Sequence, residues 1–305
     1  MAVFQLGPII RNRREELRLS QEDLADGICS VPTLSRIENG ERMPTKNHFE
    51  MLMQRLGYSA MSLDYFTDKK DFLIHETKIR LRYAYISKDF HAVKELLETF
   101  RSLLDDPTNI DEQFLILYDT LLSPTQHINA EKLERLEKAL RLTCPKYDCN
   151  YIPHVLSYEE IILLNNIAIC YDTVGNRNKS IAILYSLKDY YDRNMISTDE
   201  ALRTQPMVLY NLSKYLGLNK QYDECINICK LGINIAISTG RCPLLSKTLF
   251  NYGWALLQRN ASGDALAAEK AIRQAILFAE AMEKHNCLDY ERIVNFYQQN
   301  FGPNN

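Results

Sequence analysis

Apolar residues recur along this chain at intervals of three and four, the spacing of one helix face, and the strict alternation that marks strands is almost missing. The pattern predicts an all-α protein. Leu6, Ile10 and Leu17, with Ile9 beside them, line the inner face of a first helix that runs to Arg18. Leu24, Ala25 and Ile28 share a face in a second helix, and Leu34 and Ile37 in a third. Phe49, Leu52, Met53 and Leu56 do so in a fourth, which Pro44-Thr45 opens and Gly57 stops. Ser62 to Phe66 makes a short fifth. Five such helices can bury a small shared core, so residues 1–66 read as one domain and the polar residues 67–71 as a linker. Residues 72–305 then form a second, larger domain.

That larger part is helix after helix. Breaks at Asp105-Asp106-Pro107, Ser123-Pro124, Thr143 to Pro153, Gly175-Asn176, Gly217 to Asn219, Gly240 to Pro243 and Asn260 to Gly263 divide it. Helix pairs fall at roughly 72–104, 111–142, 157–194, 205–238 and 246–286, with a last helix from Asp289 to Gln299 capping the array. The pair spacing is near forty residues, somewhat longer than the roughly 34 of a tetratricopeptide unit.

The punctuation between the second and third helices carries the first functional signal. Ser20 with Asp23 forms a capping box, Gly27 to Cys29 supplies a turn, and Ser30 caps the next helix, where Pro32 is tolerated in the first turn. Asn39-Gly40 ends that helix, since both residues tolerate a left-handed conformation. This is a helix-turn-helix, whose second helix enters the major groove by its N-terminal end. Val31, Pro32, Thr33, Ser35 and Arg36 are left facing outward. Arg36 suits a guanine edge or a phosphate, and Thr33 a thymine methyl or a phosphate. Gln21, Ser30, Arg42 and Lys46 join the candidate DNA contacts, as do Arg11 and Arg14 and, within the same local basic patch, Arg13. Residues 1–66 hold eight Lys or Arg and nine Asp or Glu, so the domain is not basic overall. Such a local patch predicts a clear but moderate salt dependence.

SRIENGERMPT, Ser35 to Thr45, resembles the XRE/Cro-type repressor motif almost letter for letter. The turn LADGICS is one residue shorter than the usual form. In that respect the chain is similar to the peptide-responsive Rgg/PlcR-type quorum-sensing regulators, the RRNPP group. The match is close over Leu6 to Leu56 and architectural beyond. The resemblance implies a five-helix DNA-binding domain followed by a tetratricopeptide-like right-handed superhelix. It also implies a homodimer on a near-palindromic site in double-stranded DNA, and a short signalling peptide held on the concave face of the array.

In the large domain three stretches align without gaps: Asn166-Ile-Ala-Ile-Cys-Tyr, Asn211-Leu-Ser-Lys-Tyr-Leu and Asn251-Tyr-Gly-Trp-Ala-Leu. Each has an Asn, an apolar residue and then a small one (Ala168, Ser213, Gly253) that lets a partner helix approach closely. An amide both donates and accepts, so a ladder of Asn166, Asn211 and Asn251 suits the backbone of an extended peptide. In the resembled group, asparagines on this face hold the signalling peptide. Asn165, Tyr210, Lys214, Lys247, Phe250 and Trp254 are the neighbours on that face; either lysine suits a carboxylate, and Phe250 with Trp254 an apolar floor. The rival reading is a DNA-binding protein whose helical array docks a protein partner instead of a peptide.

Composition narrows the rest. A net charge of −3 argues against a general nucleic-acid coat or a polybasic membrane binder. No run of eighteen apolar residues exists, and MAVFQLGPIIRNRR is not a secretory signal, so a cytoplasmic protein without a membrane partner is expected. Eight cysteines show no Cys-x-x-Cys spacing, and six histidines show no metal spacing. Cys225 and Cys229, one helical turn apart, read as small core residues. With no Gly-rich phosphate loop and no nucleophile elbow, neither a cofactor nor an enzyme is expected. Glu159-Glu160 at a helix start reads as charge favoured by the helix dipole.

Overall fold

The computed structural model describes residues 6–57, 69–123, 129–147, 155–194, 199–240, 242, 244–282 and 288–302. Every regular element among them is helical. The first four are α1 (Leu6–Glu16), α2 (Gln21–Ala25), α3 (Val31–Glu38) and α4 (Lys46–Arg55). Then come α5 (Lys69–Ile86), α6 (Phe90–Leu103), α7 (Asn109–Leu122), α8 (Asn129–Thr143), α9 (Tyr158–Thr173) and α10 (Arg177–Asn194). The last five are α11 (Asp199–Leu218), α12 (Tyr222–Thr239), α13 (Leu245–Arg259), α14 (Asp264–Ala281) and α15 (Leu288–Phe301). From α5 to α14 these are the five expected helix pairs, and α15 is the expected closing helix. The fifth short helix expected at Ser62 to Phe66 lies outside the described residues. The linker expected at 67–71 is corrected in part, because α5 already begins at Lys69. None of the described helices is long and apolar enough to cross a membrane.

Local chemistry sets the helix starts. The Ser20 hydroxyl accepts from the Asp23 amide while the Asp23 carboxylate accepts from the Ser20 amide, closing the capping box. Ser30 accepts from the Thr33 amide and Thr45 from the His48 amide. Gly40 takes the left-handed conformation (φ 75°) that stops α3, while Asn39 stays right-handed at φ −80°.

The chain divides into two compact units: residues 1–174 with 193–198, and residues 175–192 with 199–305. The first therefore joins the helix-turn-helix to the first helices of the array. Ile10, Leu24, Leu34, Ile37, Phe49 and Leu52 form its N-terminal core, and Val155, from the segment before α9, is buried in the same cluster. Helix α4 shows why the two parts belong together. Its apolar side chains are buried, and so are its polar Glu50, Gln54 and Arg55. Two surfaces are covered at once.

In the second unit, α11 to α14 pack in sequence order and α15 closes on α14. The small residues play the expected part: a Cβ on Gly253 would lie 2.6 Å from Ile272 Cγ1 and 2.9 Å from the Ala268 carbonyl oxygen. Cys225 and Cys229 are fully buried core residues.

Candidate functional site

Two surfaces concentrate the candidate residues, one in each unit. On the helix-turn-helix, α3 presents Pro32 and Arg36 to solvent, with Thr33 and Ser35 half-buried beside them. Val31 packs partly onto the core. The Ser30 hydroxyl sits 2.9 Å from that of Thr33, so the start of α3 is braced from inside. Arg42 is exposed just beyond the helix, and exposed Arg11 pairs with Glu15 at 3.0 Å.

Four basic or polar candidates point elsewhere. Arg14 is buried, with Nε and Nη2 donating to the two Glu38 carboxylate oxygens at 2.6 and 2.9 Å and Nη1 to the Leu19 carbonyl at 2.9 Å. Gln21 donates to the same Glu38 carboxylate at 2.8 Å. These bonds tie α1 and α2 to the end of α3, so Arg14 and Gln21 are engaged within the domain. Lys46 is buried at the start of α4, and Arg13 donates to the Leu56 carbonyl at 3.1 Å. Periodicity marks Arg14 as a surface cation, but its partner is 24 residues away in sequence and only the folded chain reveals it.

Residues that were not candidates hold the first unit together. Arg55 and Glu160 have side chains 1% and 0% exposed and meet at 2.6 Å. The same guanidinium donates to the Thr143 carbonyl at 3.0 Å and to the Asp26 carbonyl after α2. Glu160 also accepts from the Ser157 amide and from the Thr143 hydroxyl. Burial alone would raise the Glu160 carboxyl, but the charge and hydrogen bonds of Arg55 hold it below its ordinary value. Nearby, Glu50 meets His75 at 2.9 Å, Lys78 meets Asp111 at 3.2 Å and Arg82 meets Glu159 at 2.6 Å. Burial pushes the Glu50 carboxyl up; the His75 hydrogen bond and the Lys78 charge outweigh it and bring it down to about 2. The dipole reading of Glu159-Glu160 is thus too small: both carboxylates are also partners of buried or half-buried arginines.

The second unit contains an open cavity of about 390 Å³ between α11, α13 and α15. Tyr210, Lys214, Lys247, Phe250, Asn251 and Trp254, six of the nine sequence candidates, line it. Lys247 lies 5.8 Å from the centre of the Tyr210 ring, and Lys214 5.3 Å from that of Tyr215. Trp254 packs edge-on to Tyr222 at 6.0 Å. Its ring needs Gly217, where a Cβ would come within 2.8 Å of Cζ3. The closing helix adds Arg292, Ile293 and Phe296, which were not candidates, with Phe296 meeting Phe250 edge-to-face at 5.3 Å. The signal for them was an Arg and a Phe four apart on one face of a helix read only as a cap. Apolar floor, few polar groups and a volume within the ~300–1,000 Å³ of small-ligand pockets make this a binding site in form.

The asparagine ladder does not hold as three equivalent amides. Asn166, in the first unit, donates to the Ile162 carbonyl of its own helix at 2.8 Å, and Asn165 is buried. Asn211, in the second unit, is 7% exposed and is not among the lining residues. Asn251 lines the cavity while donating to the Ser213 hydroxyl at 3.0 Å. No cluster of His, Cys, Asp or Glu suited to a metal occurs among the described residues.

Comparison with known proteins follows this division. Residues 10–62 match the model of a helix-turn-helix family. Among solved structures, PlcR of Bacillus thuringiensis in complex with the peptide PapR7 and DNA superposes with a TM-score of 0.61 at 19% identity, covering 95% of this chain and 99% of that one. The apo form of the same protein gives 0.59 at 18%, covering 95% and 98%. The apo competence regulator ComR of Streptococcus vestibularis gives 0.52 at 18%, covering 97% and 98%. At these identities the likeness is one of fold. No curated protein matches in sequence. Residues 84–295, well over half of the chain, match the RNPP family C-terminal domain, and the protein belongs to the RNPP family.

Proposed function

We propose that this protein is a cytoplasmic, sequence-specific DNA-binding transcription regulator, controlled by a short signalling peptide bound in the helical array. The observation that carries the reading is the cavity between α11, α13 and α15, where six residues selected from the repeat register converge. Structures of similar fold include one holding both a peptide and DNA, which supports assigning both ligands to one chain. The reading helix α3 offers Arg36 to a base edge or phosphate, with Pro32, Thr33, Ser35 and Arg42 beside it. Ser30, Val31 and Arg11 flank that surface; Arg14, Gln21 and Lys46 support it from within. As a homodimer, two such helices would meet successive major grooves of a near-palindromic operator. Peptide binding shifts the regulator only if it favours one arrangement of the array over another.

Two measurements test this. Selection of DNA sites by the purified protein should enrich a near-palindromic sequence, and Arg36→Ala should weaken the enrichment. Native mass spectrometry of protein recovered from dense cultures of its host should find a dimer with one short peptide per subunit. Failure to select any DNA sequence overturns the regulatory reading, and a dimer that never carries peptide overturns the peptide.

A further inference from the structure

We infer that the cavity of the second unit recognises a carboxylate carried beside a large apolar side chain, so that it receives one end of the peptide. This inference rests on the array being a peptide receptor, and it specifies what the receptor reads. Three cations, Lys214, Lys247 and Arg292, line the cavity, and among the described residues no Asp or Glu does. No carboxylate among the described residues lies within ion-pair distance of Lys214 or Arg292. Four buried or half-buried cations of the first unit, by contrast, each meet a carboxylate: Arg14 meets Glu38, Arg55 meets Glu160, Lys78 meets Asp111 and Arg82 meets Glu159. An excess of positive charge around an apolar floor remains tolerable while water fills the space. It becomes favourable once an anion enters and water leaves, because a charge-assisted hydrogen bond strengthens as the surroundings dry.

Size limits the occupant. A space of about 390 Å³ lies at the low end of the ~300–1,000 Å³ typical of small-ligand pockets. It suits a terminal side chain and its neighbour, with the rest of an extended peptide continuing outside it. Phe250, Trp254 and Phe296 supply the apolar walls, and edge-to-face packing of Phe250 on Phe296 leaves ring faces for an aromatic or branched side chain. Asn251 and Tyr210 add polar atoms at the lining. The carboxylate could belong to a free C-terminus or to an acidic side chain, and the chemistry at the cations is the same.

The chain provides its own reporter, because Trp254 is the single tryptophan of all 305 residues and lines the cavity. The full-length protein is titrated with three probes while tryptophan emission is followed: N-acetyl-Leu-Phe as the free acid, the same compound as its C-terminal amide, and N-acetyl-Glu-Phe amide. The free acid is expected to bind at least about tenfold more tightly than the plain amide, as one charge-assisted hydrogen bond implies. Lys214→Gln and Arg292→Gln should each erase most of that preference while leaving the amide where it was. Binding of the Glu-Phe amide in place of the free acid would keep the carboxylate and assign it to a side chain. Equal affinity for all three probes, or no change in emission with any of them at millimolar concentration, overturns the inference. The peptide-receptor reading would survive either result, since the peptide recovered by native mass spectrometry decides that reading.

Discussion

The two units treat charge in opposite ways. Around α4, α5, α7 and α9 of the first unit, three cations drawn out of water each have a carboxylate within hydrogen-bonding distance: Arg55 with Glu160, Lys78 with Asp111, Arg82 with Glu159. In the cavity of the second, Lys214 and Arg292 remain exposed, and no acidic residue among those described lines the space with them. The difference follows from desolvation. A charge sealed in protein without a partner costs several kcal/mol, so a permanently closed junction must supply both signs itself. A site open to water can keep one sign and wait for the other. Sealed charges should therefore report in stability, and open ones in binding.

The largest test of that contrast is Arg55→Ala. It strips Glu160 of its counter-charge in a fully buried setting and should lower the unfolding free energy by roughly 3–5 kcal/mol, read from urea melts. Replacing both partners with apolar residues, Arg55→Met with Glu160→Leu, should recover most of the loss. If the single variant melts like the parent, the junction is not sealed as described. Next comes acid. The Glu50 carboxyl is brought down to about 2 in the folded protein, below the ~4.3 of an unfolded chain. Its contribution, on the order of 2–3 kcal/mol by linkage, is fully present above the unfolded value and is lost as pH falls through that window toward the folded one. Glu50→Gln should flatten that part of the stability profile; an unchanged acid limb would remove Glu50 from the account. On the open side, Arg36→Ala should weaken binding to a selected operator by about 1–3 kcal/mol while leaving the melting curve alone, and a stability loss of that size would reclassify Arg36 as structural. The smallest effect expected is that of Ser30→Ala, about 1 kcal/mol from the lost cap. It should appear in the melt, as befits a residue whose hydroxyl is turned toward the Thr33 amide.

What sequence reasoning recovered depends on the reach of the interaction involved. The caps at Ser20 and Ser30 are legible because a cap joins residues three apart. The helix pairs were legible because Gly, Asn and Pro clusters interrupt the apolar period. The cavity residues emerged from the register of repeats, in which Lys214 and Trp254 follow their asparagines by the same spacing. What failed was long-range or competitive. Helical spacing alone places Arg14 on the surface, because its partner Glu38 lies on another helix. The asparagine register cannot separate a ligand contact from a local one, because an amide also finds partners close by: Asn166 bonds its own helix, and Asn251 the neighbouring Ser213. Arg292 and Phe296 escape the register because a closing helix belongs to no repeat, so there is nothing to align it with.

The junction at α4 also bears on inheritance. Gly27, in the turn between α2 and α3, holds φ +72°, and a Cβ there would fall 1.6 Å from the Thr143 carbonyl oxygen at the end of α8. That same carbonyl accepts from Arg55. The reading head and the beginning of the array have therefore been shaped as a matched pair. A gene fusion that cut the chain at residue 67 and supplied another member's array would strand Arg55 and Glu50 and press a foreign surface onto a turn with no room for a side chain. Heads of this kind are not free to be shuffled among sensors by recombination at the obvious seam. An exchange that kept α8 and the start of α9 with the head would carry both halves of the contact, so lineages that swapped their sensors should bear the scar further along, within the array itself.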